Sequence, residues 1–377
     1  MKIAQKTIHF FTIAMMAFFS ATIFASGIEK KVDNQKDGGQ INTNSEVKAY
    51  IEHHLKDSHD FALFSYTSDQ GERKHVGFPL PVILWTSKGL VTFMSSEFHH
   101  NDDGHVVVEK GGLKFAKIHS KIYELDNGAA TVSFDETHHA TNAHKTLDFS
   151  ITKSVVGILL AGLLIFLGFS KLAKQYKTRK IPKGISRVLE PLVLYVRDEI
   201  AKPNIGEKKY RKFMPFLLTV FFFIWLLNLL GLTPLGFNVT GQIAVTVCLA
   251  LLTMIIYITN GSKDFWAHTL WMPGVPYILR PVLAVIELVG FIIIKPFSLL
   301  VRLFANITAG HFVVMSLIAL MITMKEAFGP VASTGMSLVL ALFIMVIEIL
   351  VAFLQAFIFT MLSSLFIGMA VEEHEHH

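Results

Sequence analysis

Residues 281–324 read PVLAVIELVGFIIIKPFSLLVRLFANITAGHFVVMSLIALMITM, and residues 331–370 read VASTGMSLVLALFIMVIEILVAFLQAFIFTMLSSLFIGMA. Each is a nearly unbroken apolar run of roughly forty residues, where about twenty cross a bilayer at right angles. As helices rising about 1.5 Å per residue they are about 60 Å long, twice the hydrocarbon thickness. Simple spanning is therefore excluded, and each must be strongly tilted, broken or partly interfacial. A short turn near Lys325 to Pro330 joins them into an antiparallel pair.

Working outward, three shorter apolar blocks precede this pair. The first runs from about Ser154 to Phe169 and is followed by Lys171, Lys174, Lys177, Arg179, Lys180 and Lys183. Such a cluster belongs on the cytoplasmic side, so this helix enters from outside and exits inside. Ser186 to Ala201 places Val188, Leu189, Leu192, Val196 and Ile200 at helical spacing with charges between, the pattern of a helix lying on the cytoplasmic face. Lys208, Lys209, Arg211 and Lys212 then introduce the outward block Phe213 to Leu232. An uncharged loop, Gly231 to Gln242, leads to the inward block Ile243 to Thr259. Five blocks put the amino terminus outside and the polar tail, Glu372 to His377, inside.

With 52% apolar residues and a mean hydropathy of +0.49, the whole chain falls in the membrane class. The net charge of +5 is no nucleic-acid signal, because the basic residues flank the membrane blocks and report topology. The single cysteine, Cys248, excludes a disulfide framework and a thiol pair for metal or redox work.

Residues 1–26 have the order of a cleavable secretory signal: Lys2 and Lys6, an apolar run from Ile8 to Phe24, then Ala25, Ser26 and Gly27. An uncleaved anchor is the alternative, and either one exports the next segment of the chain. Residues 27–150 read as a small β-rich extracytoplasmic domain after a flexible polar lead, Glu29 to Ser45. Its strands are expected at Asp60 to Tyr66, Gly77 to Thr86, Leu90 to Met94 and His105 to Glu109, with turns at Lys88-Gly89, Asp103-Gly104 and Gly111-Gly112. Eleven of the seventeen histidines fall here, including the pairs His53-His54, His99-His100 and His138-His139. Imidazole binds metals and titrates near neutrality. Adjacent histidines on a strand point to opposite faces, however, and the spacing matches no closed zinc site. They are read as solvated surface residues, and no metal or other cofactor is expected.

The fold class is thus a polytopic α-helical membrane protein, residues 151–377, whose last two blocks form a long tilted antiparallel pair, with a β-rich amino-terminal domain. Its chemistry lies in the few polar residues at bilayer depth, since a buried Arg or Glu costs several kcal/mol and is tolerated mainly where it serves a pathway. These are Glu287, Lys295, Arg302, Asn306 and His311 in the first long block, and Glu348 and Gln355 in the second. Lys295 has an equal claim to snorkelling. A mutual ion pair is the structural alternative for Arg302 and Glu348, and a helix-to-helix hydrogen bond that for Asn306 and Gln355.

The stretch Lys295-Pro-Phe-Ser-Leu-Leu-Val-Arg302-Leu-Phe-Ala-Asn306-Ile-Thr-Ala-Gly-His311 resembles the signature of subunit a of the F-type ATP synthases, the stator subunit beside the rotating c-ring. The ending, Leu354-Gln355-Ala-Phe-Ile-Phe359 with Met369-Ala370 and a Glu-Glu-His tail, resembles that family's last helix. The resemblance covers about residue 150 to the end and implies that Arg302 is the essential arginine, facing the c-ring carboxylate between two offset aqueous half-channels. An arginine keeps its proton under working conditions, which suits a gate and not a relay. His311 and Glu348 match a pair that appears in some members as Glu in the first position and His in the second, so this sequence carries the exchanged order, which mitochondrial versions resemble. Asn306 and Gln355 match polar positions that line the path or hold the arginine.

Helix geometry agrees with this resemblance. If Gln355 is level with Arg302, nine residues onward in one helix and seven back in the other are displacements of about 13.5 and 10.5 Å in the same direction, bringing His311 and Glu348 to similar depth. Glu287 stands fifteen residues before Arg302 where the family commonly has fourteen, a rotation of about 100° on a regular helix. It keeps the family facing only if a local irregularity absorbs one residue.

The implied partners are the c-ring, the subunit b peripheral stalk, the remainder of the synthase and the bilayer of the cell inner membrane, with no nucleic acid. The chain shows no phosphate-binding glycine loop, so ATP chemistry belongs to partner subunits. Three rivals fit less well. An intramembrane hydrolase lacks its zinc or serine–histidine motif, a secondary transporter lacks repeated halves, and an anchored binding module leaves Arg302 unexplained.

Overall fold

A computed structural model of the chain describes residues 57–67, 73–99, 101–126, 131–134, 140–178, 182–233, 237–271, 276–323 and 328–372. The signal segment, the polar lead, the pairs His53-His54 and His138-His139, and the tail beyond Glu372 lie outside them. Two units are present, the first containing the amino-terminal domain up to Val156 and the second most of the helical part.

The amino-terminal domain contains β1 (Asp60–Thr67), β2 (Arg73–Pro79), β3 (Pro81–Thr86), β4 (Gly89–Met94), β5 (Asp103–Lys110), β6 (Leu113–Ile118), β7 (Lys121–Leu125), β8 (Ala143–Lys145) and β9 (Leu147–Asp148). They form three antiparallel sheets, ordered β1-β2, β4-β3-β9 and β5-β6-β7-β8. Two expectations are corrected. The single strand Gly77 to Thr86 is two, broken at Leu80, because Pro79 and Pro81 flank that residue and neither has an N–H for a ladder. Asp103-Gly104 is no turn but the start of β5, where the register shifts against β6 and Gly104 takes φ +78°, as at a bulge. The Gly111-Gly112 turn stands as expected, both residues at positive φ between the paired Lys110 and Leu113.

Alternation places Val82, Leu84, Phe93, Val108, Leu113, Phe115 and Ile122 inward, with Phe98 completing the core. A buried Lys117–Asp60 ion pair at 2.9 Å crosses between sheets, and the Ser95 hydroxyl donates to the same carboxylate at 2.6 Å. His59 departs from the solvated-histidine reading. It is buried and 2.7 Å from the Asp148 carboxylate. Burial pushes the Asp148 carboxyl up, but hydrogen bonds from His59 and Ser150 outweigh it and hold the group below its ordinary range. Among the described residues no three His, Cys, Asp or Glu side chains gather as a metal ion would need.

The helical part contains α1 (Lys153–Thr178), α2 (Ile185–Tyr195), α3 (Lys202–Ile205), α4 (Tyr210–Gly231), α5 (Ile243–Thr259), α6 (Lys263–Leu270), α7 (Arg280–Val289), α8 (Lys295–Thr323) and α9 (Pro330–Val371). α1 runs past its expected end at Phe169 through Lys171, Lys174 and Lys177, since lysine favours helix and no Gly or Pro stops it. Among the described residues four stretches are long and apolar enough to cross a membrane: α1, α4, α7 with α8, and α9. α5 passes that test only together with α6, which bends from it by 101°. α6 was not expected from the sequence, although Ser262 caps it by accepting from the Phe265 amide at 3.0 Å.

The amphipathic segment is α2, a π turn (Val196–Ala201) and α3. Its buried Val196, Ile200, Ala201 and Ile205 share one hydrophobic cluster with Phe359, Phe366, Ile367 and Ala370 of α9, and the Ser364 hydroxyl of α9 donates to the Ile200 carbonyl at 3.0 Å. A Cβ built on Gly368 would overlap the Asn204 carbonyl, so only glycine admits that approach. On its polar side Arg197 first, then Lys202, binds Asp198 and holds its carboxyl at about 2.

Candidate functional site

The long helices meet through two contacts that fix their register. The Ser337 hydroxyl on α9 donates to the Leu317 carbonyl on α8. The Glu348 carboxylate lies against the backbone of Gly310, where a Cβ would overlap it. The helices are therefore antiparallel. Eight residues before Gly310 is Arg302 and eight after Glu348 is Ala356, while fifteen steps from the Leu317–Ser337 contact pair Arg302 with Ala352. Gln355 falls within that interval, so it is level with Arg302, the condition under which His311 and Glu348 come to similar depth.

Burial along α8 follows helical period. Leu299, Leu303, Ile307 and Gly310 are buried, whereas Val301, Arg302, Ala305, Asn306 and Ala309 are exposed on the opposite side. Arg302 makes no ion pair and Asn306 no side-chain hydrogen bond with any described residue, and Glu348 sits beside Gly310 instead of Arg302. Gln355 is buried at 3% exposure. The structure thus brings Glu348 to the residue preceding His311, puts Gln355 at the depth of Arg302, and leaves Arg302 and Asn306 on an open face.

Glu287 is half-buried on α7, and a π turn (Gly290–Ile294) separates α7 from α8. A π turn carries one extra residue, so fifteen positions wind nearly as fourteen would on a regular helix. Its cause is local. The Lys295 amide reaches back to the Gly290 carbonyl, and Pro296 has no N–H to offer the carbonyl of Phe291. The hydroxyl of Tyr257, fully buried on α5, donates to that carbonyl instead. Tyr257→Phe leaves a buried carbonyl without a donor, and we expect a loss of about 1–3 kcal/mol, read as a lowered inactivation temperature of the assembled protein.

The Lys295 side chain is held between aromatic rings. Its ammonium lies 3.2 Å from the Phe291 ring centroid and 5.2 Å from that of Phe366, a cation–π seat near the end of α9. Two further polar residues, Asn228 and Thr240, escape a sequence search confined to the long blocks. Asn228, buried in α4, accepts from the Thr240 hydroxyl at 2.8 Å and points its amide at the Ala352 carbonyl, 3.4 Å away. A lone Asn in the run Phe221 to Leu230 was the available signal.

The model of the ATP synthase A chain family matches residues 155–368, and a domain of unknown function (DUF8433) matches residues 50–149. Similar proteins include ATP synthase subunit a 2 of Chlorobaculum tepidum, 41% identical over 262 residues, covering 67% of this chain and 72% of that one. ATP synthase subunit a 2 of Prosthecochloris aestuarii is 42% identical over 262 residues, covering 67% and 78%. ATP synthase subunit a of Myxococcus xanthus is 41% identical over 237 residues, covering 61% and 76%. With its family match across the helices and a β-rich domain before them, the chain belongs to the ATP synthase A chain family, subunit a of the F-type ATP synthases.

Proposed function

We propose that the chain is the proton-conducting stator subunit of an F-type synthase, with Arg302 as the gate between two half-channels that load and unload c-ring carboxylates. The observation that carries this reading is the open face of α8. Within a membrane helix, Arg302 is a permanent cation to which no described residue of its own chain gives an ion-pair partner. It is flanked by Ala305 and Ala309, whose small side chains permit close approach of another helix. A charge at that depth requires a partner, and a carboxylate carried past on a second body supplies one.

In this reading a carboxylate nearing Arg302 gives its proton to one half-channel, passes as an ion, and takes another from the second after nearly a full turn. Each crossing is worth about 2.3 kcal/mol per 100 mV of membrane potential. His311 and Glu348 serve the outer half-channel, where imidazole and carboxylate relay protons near neutral pH. Gln355 and Asn306 line the path at the level of the arginine and one turn beyond. Glu287 joins the path, its facing supported by the π turn. The amino-terminal domain lies outside the cell inner membrane, and the c-ring and subunit b are the partners within the complex.

Purification of the tagged full chain from membranes under mild detergent tests this assignment. The expected result is recovery of an oligomeric ring of small apolar subunits together with the peripheral stalk. Recovery of the chain alone, from membranes in which it is stably inserted, sinks the reading.

A further inference from the structure

The sheet β4-β3-β9 has one face packed into the domain core and one that no described residue covers. Val82, Leu84 and Phe93 point inward. On the other side the pairings Trp85↔Leu90 and Trp85↔Leu147 set three apolar side chains in a row. The ladder continues beyond β9, since the amides of Phe149 and Ile151 donate to the carbonyls of Ile83 and Pro81. The outward positions are therefore Pro81, Ile83 and Trp85 on β3, Leu90, Thr92 and Met94 on β4, and Leu147, Phe149 and Ile151 on the third strand. None is ionisable. Trp85, Leu90, Leu147 and Phe149 are 56–65% exposed, whereas an ordinary solvated sheet face alternates to polar residues. A contiguous apolar surface of this kind marks a binding face.

Its position along the chain identifies the occupant. Phe149 precedes the first residue of α1 by four positions, a reach of at most about 14 Å. No slack intervenes, because the Lys153 amide donates to the Ser58 carbonyl at 2.9 Å and the Ser154 amide to the Asp57 carboxylate at 3.0 Å. The first turn of a membrane helix is thus bonded to the domain, and the strand ending the apolar face runs directly into that helix. Tryptophan, phenylalanine and aliphatic side chains without charge are the composition that settles at headgroup level. We propose that this face is a lipid-binding surface, seated in the headgroup region of the leaflet at which α1 begins, and that it fixes the domain against the membrane. The seat is the same whichever side of the membrane that leaflet faces.

Trp85 is one of four tryptophans, so the difference in fluorescence between the native full chain and Trp85→Phe, both reconstituted in vesicles, isolates its signal. Phenylalanine keeps the strand and its apolar character. For a side chain buried about 5–10 Å into the headgroup region, that difference signal should fall about twofold or more when the lipids are brominated near the head of the acyl chains. It should also be shielded from aqueous iodide. Quenching by iodide with no effect of bromine overturns the proposal. Shielding from both overturns it as well, because a protein segment and not lipid then covers the face.

Discussion

Replacing Arg302 by alanine is expected to abolish ATP-driven acidification of inverted vesicles at matched assembly, while ATP hydrolysis by the detached head stays at its native rate. At about 4 Å and an effective dielectric constant near 20, a fixed positive charge favours an ionised carboxylate by about 4 kcal/mol, roughly a thousandfold in its population. On the proposed gate, a ring carboxylate without that charge would pass the stator in its protonated form and deliver nothing. Arg302→Lys should restore little. An ammonium is able to lose its proton in an apolar setting and lacks the planar fork that meets a carboxylate with two hydrogen bonds. Acidification by the alanine variant at the native rate would make Arg302 structural.

The second large effect is expected at Glu348. Its carboxylate occupies space on α8 that only a glycine leaves open, next to the backbone of Gly310 and so one residue from His311. Glu348→Gln keeps shape and polarity but removes the exchangeable proton. Because a positioned acid–base group contributes on the order of a hundredfold or more, proton flux should fall by about that factor. Glu348→Asp should retain part of the flux. Gly310→Ala should resemble the glutamine variant, since the added methyl overlaps the carboxylate and displaces it. Equal flux in the native and Glu348→Gln complexes would remove this residue from the path.

Much of this site was legible in the sequence because bilayer depth imposes a strong filter. A charge among forty apolar residues announces itself. The spacing tied a level Arg302 and Gln355 to a level His311 and Glu348, but the register itself is given only by the Gly310–Glu348 and Leu317–Ser337 contacts. The facing of Arg302 toward the open side of α8 was readable only once burial along the helix was known. Glu287 shows the limit of periodicity. Counting residues assumes a regular helix, and the π turn arises from a proline without an amide and a tyrosine on another helix, a tertiary event invisible to spacing. In the β-rich domain, alternation located strands but not their ends, because Pro79 and Pro81 interrupt a ladder without interrupting apolar character. Burial of His59 was equally hidden, since its partner Asp148 is far along the chain.

The open face of α8 is tested most directly by disulfide trapping in the assembled complex. With Cys248→Ser as background, cysteines introduced as Ala305→Cys and Ala309→Cys are oxidised against a cysteine placed beside the carboxylate of the ring subunit. Rapid cross-links to the ring are expected from both positions and none from Leu163→Cys, which is exposed on α1. If intact complexes yield no ring adduct from residues 305 and 309, Arg302 does not face the ring, and the gate assigned to it is contradicted.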